Sequence, residues 1–172
     1  ITKELERLGA KVIIGKHKKT NVPEKTKKVV YSAAVPKESP ERKEAASRKI
    51  KTQSYAEALG ELTKNYKTIT ISGTHGKSTT TALSALVLEE GCFDPTVIIG
   101  TKLKEFGNSN FRAGRSSYLV LEADEWNKSF LNYRPLVAVV TNIDAEHLDT
   151  YKDINDVKSA FASYLKMVPA QG

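Results

Sequence analysis

Short apolar runs alternate with amphipathic stretches along this chain, and the alternation predicts a layered α/β protein. In the C-terminal two thirds, runs rich in β-branched and aliphatic side chains predict buried strands. These runs are residues 68–72, 96–99, 118–121 and 136–140. Two longer stretches, residues 79–90 and 155–167, have apolar side chains at helical spacing and predict helices. The predicted apolar stripes are Leu83, Leu86 and Val87 in the first helix, and Val157, Phe161 and Leu165 in the second.

The N-terminal third has weaker patterning but the same alternation of elements. We predict a helix over residues 2–8, strands over 10–14 and 28–35, and helices over 39–48 and 55–64. Ser39 and Pro40 are typical of a helix start, as N-cap and first-turn residue. Lysines are dense before residue 52, and strong strands begin only after residue 65. We therefore place a domain boundary near Asn65, which gives domains 1–64 and 65–172. Residues 100–114, with three glycines, are predicted to form a mobile loop or a hairpin.

Composition narrows the class of protein. Hydrophobic residues make up 40% and charged residues 27% of the 172 residues, which is ordinary for a globular chain. No apolar run is long enough to cross a bilayer, so we expect no membrane partner. The single cysteine, Cys92, excludes an internal disulfide and fits a reducing cytoplasm; we expect it to be a small buried residue.

The net charge of +7 favours an anionic partner. The lysines between Lys16 and Lys51 are not interleaved with aromatic residues and match no nucleic-acid-binding motif. We therefore expect no nucleic-acid partner. A solvated basic surface that attracts a nucleotide-sugar accounts for the charge more simply. His17, which lies among these lysines, is expected to face solvent.

A glycine-rich turn, Gly73–Ser78, lies between the predicted strand 68–72 and the following helix. Gly73 and Gly76 allow the backbone to approach phosphate oxygens, and amides at a helix start bind anions. Lys77 can supply a positive charge to the outer phosphates, and the Ser78 hydroxyl can bind Mg²⁺. The full P-loop pattern has a glycine where this chain has Ile71, so the motif is the shortened form GxxGK[ST].

Polar residues also follow two other predicted strands. Glu122 and Asp124 come after one of them, and Asn142, Asp144 and His147 come after the next. Ligands of open parallel sheets bind beyond the carboxyl ends of the strands, so we expect these groups to converge on the glycine-rich turn. A carboxylate such as Glu122 suits Mg²⁺. Mg²⁺ prefers oxygen ligands, so a histidine would be an unusual ligand for it. From chemistry alone, His147 is therefore either a metal ligand or an ordinary helix-cap or core histidine.

Three segments together resemble the Mur ligase family. They are GTHGKSTTT (73–81), EADE (122–125) and TNIDAEHLDTY (141–151). His75 within the loop, and the third segment, are most similar to the branch that adds L-alanine to UDP-N-acetylmuramate and to its relative, the murein peptide ligase. Residues 2–64 resemble the second half of the family's UDP-binding domain. The implied fold class is α/β: a parallel-sheet P-loop-type central domain preceded by part of a Rossmann-like UDP-binding domain.

The resemblance implies an ATP-dependent amide ligase of peptidoglycan precursor synthesis. In this family ATP phosphorylates the substrate carboxylate, and the amine of the incoming alanine attacks the acyl phosphate. ATP and Mg²⁺ are the implied cofactors, with two Mg²⁺ at the transferring phosphoryl group. The implied catalytic residues are Lys77, Glu122 and His147, with Ser78 and Glu122 on one Mg²⁺ and His147 on the second. The implied nucleotide-binding residues are Gly73, Thr74, His75, Gly76, Lys77, Ser78 and Thr79. Residues 1–172 lack parts of the family pattern at both ends, so we expect no ligation by this stretch alone.

Two other classes of function compete with this reading. A different P-loop NTPase, a kinase or switch, would be favoured by a full GxxxxGK[ST] loop and a DxxG segment, which the sequence does not contain. A basic binding module without catalysis would be favoured by a steep salt dependence of nucleic-acid affinity. Within the ligases, addition of a murein tripeptide is the alternative to addition of alanine.

Overall fold

The computed structural model describes residues 2–147 and 149–170. The chain divides into two compact units, residues 1–58 and 59–172. Among the described residues, no helix combines the length and the apolar character that crossing a membrane requires.

The first unit contains a two-stranded parallel sheet and short helices. Its elements are α1 (Thr2–Arg7), a 3-10 turn (Lys19–Asn21), β1 (Lys28–Tyr31), α2 (Pro40–Ser47), β2 (Lys51–Ser54) and the start of α3 (Tyr55–Thr63). Strand β1 pairs with β2 from Lys28 opposite Lys51 to Tyr31 opposite Ser54. Helix α2 begins as predicted, because the Ser39 side chain accepts a hydrogen bond from the Arg42 amide at 3.3 Å.

One expectation for this unit is wrong, and one of its strands was not predicted. The run 10–14 is not a strand, and its last residue, Ile14, is 82% exposed. Apolar residues form a strand only where a neighbouring strand offers backbone partners, and β1 pairs with β2 instead. Strand β2, with the polar sequence KTQS, was not predicted because its strand structure comes from that pairing and not from its side chains.

The second unit is built on a five-stranded sheet in the order β5-β4-β6-β3-β7. Its elements are β3 (Lys67–Ser72), α4 (Lys77–Glu90), β4 (Thr96–Leu103), β5 (Ser109–Arg112), β6 (Tyr118–Glu122), a 3-10 segment (Trp126–Asn132), β7 (Val137–Val140) and α5 (Ile154–Leu165). Strands β4, β6, β3 and β7 are parallel, and β5 is antiparallel to β4. The α/β class with a parallel sheet is therefore confirmed, and residues 100–114 form the hairpin alternative rather than an open loop.

Both faces of this sheet are covered by helices, and successive residues of β6 pack into two different hydrophobic clusters. Leu119 and Leu121 belong to a cluster that includes Phe161 and Tyr164 of α5. Val120, between them, belongs to a second cluster with Ala85 of α4. A strand buried on both faces reads as a continuous apolar run, which is why this strand was predictable.

The predicted apolar stripe of α4 is wrong. Leu83 and Val87 are 59% and 69% exposed, whereas Thr81 and Ala85 are completely buried. Small residues let the helix approach the sheet closely, so hydrophobicity alone identified the wrong face. Cys92 is also exposed rather than buried, in a left-handed conformation with φ 62° just after the helix.

Candidate functional site

The glycine-rich turn connects β3 to α4, as the sequence predicted. Gly73 has φ 126° and Gly76 has φ 81°, both in the region that favours glycine. A Cβ on Gly73 would lie 2.8 Å from the Asn142 carbonyl oxygen, so the close approach of two backbones also requires glycine here. Gly76 is the N-cap of α4, and the helix begins at Lys77. The first amides of a helix have no carbonyl within the helix to bond, so the amides of Lys77 to Thr79 are available to an anion.

The segment after β7 holds the front of this turn in place. The Thr74 amide donates to the Asn142 carbonyl at 3.1 Å, and the His75 amide donates to the Asn142 side chain at 2.9 Å. The Asp144 amide donates to the Thr74 hydroxyl at 2.9 Å. Thr74 and His75 therefore use their amides to shape the loop, which leaves the amides at the start of α4 as the ones available to an anion. Asn142, one of the groups expected to converge on this turn, therefore contacts it through both its backbone and its side chain.

Lys77 folds back over the turn. Its ammonium group donates to the carbonyls of Gly73 and Thr74 at 2.6 and 3.1 Å, and to Glu125 Oε1 at 3.0 Å. The side chains of Lys77 and Glu125 are only 14% and 2% exposed. The pair therefore lies in a low-dielectric environment, where each charge depends on the other.

Ser78 and Glu122 lie together, as predicted. The Ser78 hydroxyl donates to Glu122 Oε1 at 3.0 Å, and the Gly100 amide donates to Glu122 Oε2 at 2.7 Å. A Cβ on Gly100 would lie 2.8 Å from Glu122 Oε1, so glycine at this position of β4 gives the carboxylate room. A hydroxyl and a carboxylate beside a phosphate loop are hard oxygen donors suited to Mg²⁺.

His147, for which the sequence suggested no acidic neighbour, lies beside Asp124 and Glu125. Its Nε2 lies 3.6 Å from Glu125 Oε1, and one ligand atom from each of Asp124, Glu125 and His147 falls within 4.8 Å of the others. We call these three residues the acid–histidine cluster. Among the described residues, Glu125 Oε2 is buried without a hydrogen-bond partner, which is the state expected of a group that accepts a cation. The donor set, two carboxylates and one imidazole, can hold a divalent ion.

Glu125 was missing from the predicted site residues. Four residues, EADE, follow the apolar part of β6, and nothing in their order tells which acid turns inward. The structure buries Glu125 and leaves Asp124 exposed. Of the predicted nucleotide-binding residues, Thr79 and His75 have exposed side chains. Leu148, inside the third motif, lies outside the described residues.

A glycine-rich turn between a central parallel strand and a helix, with acids at neighbouring strand ends, defines an α/β protein of the P-loop class. The chain belongs to the Mur ligase family. The model described as "Mur ligase middle domain" matches residues 71–172, and that described as "Mur ligase family, catalytic domain" matches residues 1–67.

Relatives and solved structures agree with this assignment. The chain is 44% identical over 173 residues to a UDP-N-acetylmuramate–L-alanine ligase of Clostridium botulinum (strain Loch Maree / Type A3). It is 46% identical over 172 residues to the protein of the same name from Geotalea uraniireducens. Each match covers 100% of this chain and 37% of the relative, so the chain spans little more than a third of these proteins.

Two solved structures have the same fold. A UDP-N-acetylmuramate:L-alanyl-gamma-D-glutamyl-meso-diaminopimelate ligase from Neisseria meningitides has a TM-score of 0.88 at 25% identity, over 99% of this chain and 58% of its own. A UDP-N-acetylmuramate–alanine ligase from Thermotoga maritima has a TM-score of 0.87 at 26% identity, over 97% and 39%.

Proposed function

We propose that the full-length protein containing this chain joins L-alanine to UDP-N-acetylmuramate in the cytoplasm, using ATP and an acyl phosphate. The observation that carries the proposal is the arrangement of three polar groups around one turn. The phosphate loop, the Ser78–Glu122 pair and the acid–histidine cluster lie at the carboxyl ends of strands or in the segments that follow. The identity of 44% to ligases of that name supports the reaction.

In this proposal the start of α4 binds the phosphates of ATP. The amides of Lys77, Ser78 and Thr79 face the nucleotide, and the helix dipole favours its negative charge. Lys77 exchanges its bond to Glu125 for one to the outer phosphates, where it stabilises the charge that develops during transfer. Gly73, Thr74, His75 and Gly76 form the turn that holds these donors in position.

Two cation positions follow from the donor sets. Ser78 and Glu122 would hold one Mg²⁺, and His147 with Glu125 would hold the second. When bound, the two ions neutralise charge on the transferring phosphoryl group. Departure of the Lys77 ammonium frees Glu125 Oε1, so that both carboxylate oxygens become available at the second position.

We also propose that residues 1–64 contribute to binding the nucleotide-sugar. The first unit has a cavity of about 420 Å³ lined by residues that include Tyr31 and Arg42. The carboxylate of Glu41 borders it, and its Oε1 accepts hydrogen bonds from His17 Nδ1 at 2.9 Å and from Asn21 Nδ2 at 2.8 Å. His17 remains 68% exposed, in line with the expectation that it faces solvent.

Purified full-length protein tests the proposal directly. We expect release of ADP from ATP only when UDP-N-acetylmuramate, an amine substrate and Mg²⁺ are all present. L-Alanine and the tripeptide L-alanyl-γ-D-glutamyl-meso-diaminopimelate should be compared as acceptors, since similar TM-scores to ligases of both kinds do not separate them. Faster turnover with L-alanine is expected from the sequence relatives. Faster turnover with the tripeptide would favour the recycling branch, and no turnover with either would refute the ligase proposal.

A further inference from the structure

Tyr151 contacts the backbone on both sides of the Glu125–His147 pair. Its hydroxyl donates to the Glu125 carbonyl at 2.6 Å, and its amide donates to the His147 carbonyl at 2.9 Å. The residue is only 2% exposed. We infer that Tyr151 is a positioning residue that sets the distance between Glu125 and His147 for a divalent cation. This inference rests on the proposed function, because it assumes that the pair binds such an ion.

The backbone near His147 needs to be held. His147 has φ 57°, a left-handed conformation that residues with a Cβ rarely adopt. Its carbonyl accepts from the amides of Thr150 and Tyr151, at 2.8 and 2.9 Å. These two bonds hold the backbone carbonyl of His147, whose imidazole lies 3.6 Å from Glu125 Oε1.

The segment that follows Glu125 is equally unusual. Asn127 and Lys128 have φ 52° and 55° inside the 3-10 segment. Two further bonds tie this segment to the turn after His147: Trp126 Nε1 donates to Asp149 Oδ2 at 2.9 Å, and the Asn127 amide donates to the Thr150 hydroxyl at 3.3 Å. Hydrogen bonds therefore join the two segments, and the bond from the Tyr151 hydroxyl is the one that reaches the Glu125 backbone.

Burial makes the Tyr151 hydroxyl costly to lose. The Tyr151 ring lies in the cluster that also contains Phe130 and Phe161, away from water. Without the hydroxyl, the Glu125 carbonyl would keep the Lys128 amide as a donor, at 2.9 Å, but would lose its bond to the segment that carries His147. Groups that orient metal ligands typically change metal affinity by about 10–100-fold when removed.

The test uses Tyr151→Phe in the full-length protein, with Tyr164→Phe as the matched control. Tyr164 is fully buried in the same cluster, and its hydroxyl donates to Thr70 instead of to the site. Each variant loses one buried hydroxyl from the same hydrophobic cluster, so the temperature of thermal unfolding should fall by a similar amount in both. Mn²⁺ affinity, measured by electron paramagnetic resonance in the presence of ADP, should fall about 10-fold in Tyr151→Phe only.

A third variant, Glu125→Gln, tests the proposed cation position separately from the positioning role of Tyr151. It should weaken Mn²⁺ binding more than Tyr151→Phe does. If Glu125→Gln binds Mn²⁺ like wild type, the proposed cation position is wrong, and the positioning role is wrong with it. If Glu125→Gln weakens binding but Tyr151→Phe matches Tyr164→Phe, only the positioning role is overturned. Should Tyr151→Phe fail to fold, Trp126→Phe takes its place with the same expectation and the same overturning result.

Discussion

At the scale of single residues, the Lys77–Glu125 ion pair links the phosphate loop to the acid–histidine cluster. The pattern GxxGK[ST] singled out Lys77 and Ser78 because a lysine and a hydroxyl at this spacing between a strand and a helix can be recognised from local sequence. Glu125 could not be predicted in the same way. Its importance comes from burial and from Lys77 and His147, which lie 48 and 22 residues away in the chain.

Lys77→Ala in the full-length protein is expected to abolish ADP formation. It should also lower the free energy of unfolding by about 3 kcal/mol, because it leaves the Glu125 carboxylate buried without its cation. Adding Glu125→Gln removes that unpaired charge and should restore most of the stability but none of the activity. ADP formation and urea unfolding measure the two effects. Activity close to wild type in Lys77→Ala would show that the loop does not bind the transferring phosphate. The control is Lys104→Ala, which removes an exposed lysine of the hairpin.

At the scale of elements, one carboxylate links the two ends of the β4–β5 hairpin. Asp94 Oδ1 accepts from Arg112 Nη2 at 2.7 Å, and Asp94 Oδ2 accepts from the Arg115 amide and Nε at 3.0 and 3.1 Å. These bonds join Asp94, two residues before β4, to the end of β5 and to the segment beyond it. Three glycines and a polar composition favoured a loop or hairpin in this region, but the sequence did not show which charged residues would meet.

This carboxylate predicts a pH dependence of stability. Hydrogen bonds from Arg112, and then from Arg115, hold the pKa of Asp94 at about 2, below its ordinary value of 3.8. A lowered pKa in the folded state contributes stability above pH 3.8, and the contribution is lost as pH falls towards 2. Asp94→Asn should therefore be less stable than wild type at pH 6, and the difference should shrink between pH 4 and pH 2. Urea unfolding of both proteins across this pH range measures the difference in their free energies of unfolding. A difference that stays constant with pH would contradict the lowered pKa of Asp94.

Helix α4 shows that a hydrophobic pattern can predict where a helix lies without predicting which of its faces is buried. Its length and position were predicted, and Gly91 ends it as expected. Its buried face was not predicted, because Thr81 and Ala85 pack against the sheet while Leu83 and Val87 face outward. Apolar side chains at helical spacing identify a buried face only when the surface opposite has room for large residues.

At the scale of the whole molecule, the chain holds one unit with a two-stranded parallel sheet and one with a five-stranded sheet and the glycine-rich turn. The relatives that it matches are more than twice as long, since it covers 37% of each. We expect residues 1–172 alone to bind ATP weakly at most and to form no amide bond. Isothermal titration with ATP and Mg²⁺, together with a product assay, measures this. Ligation by residues 1–172 alone would show that this stretch contains every substrate-binding surface.

The sequence by itself determined the strands buried on both faces, the phosphate turn and the helix that follows it. Local chemistry defines these features: continuous apolar runs, glycines that permit positive φ, and a lysine and serine at fixed spacing. Only the tertiary structure decided that residues 10–14 form no strand, that KTQS does, and that Glu125 joins Lys77 and His147. Strand pairing, burial and the meeting of distant charges depend on which surfaces come together, and no single segment of the chain contains that information.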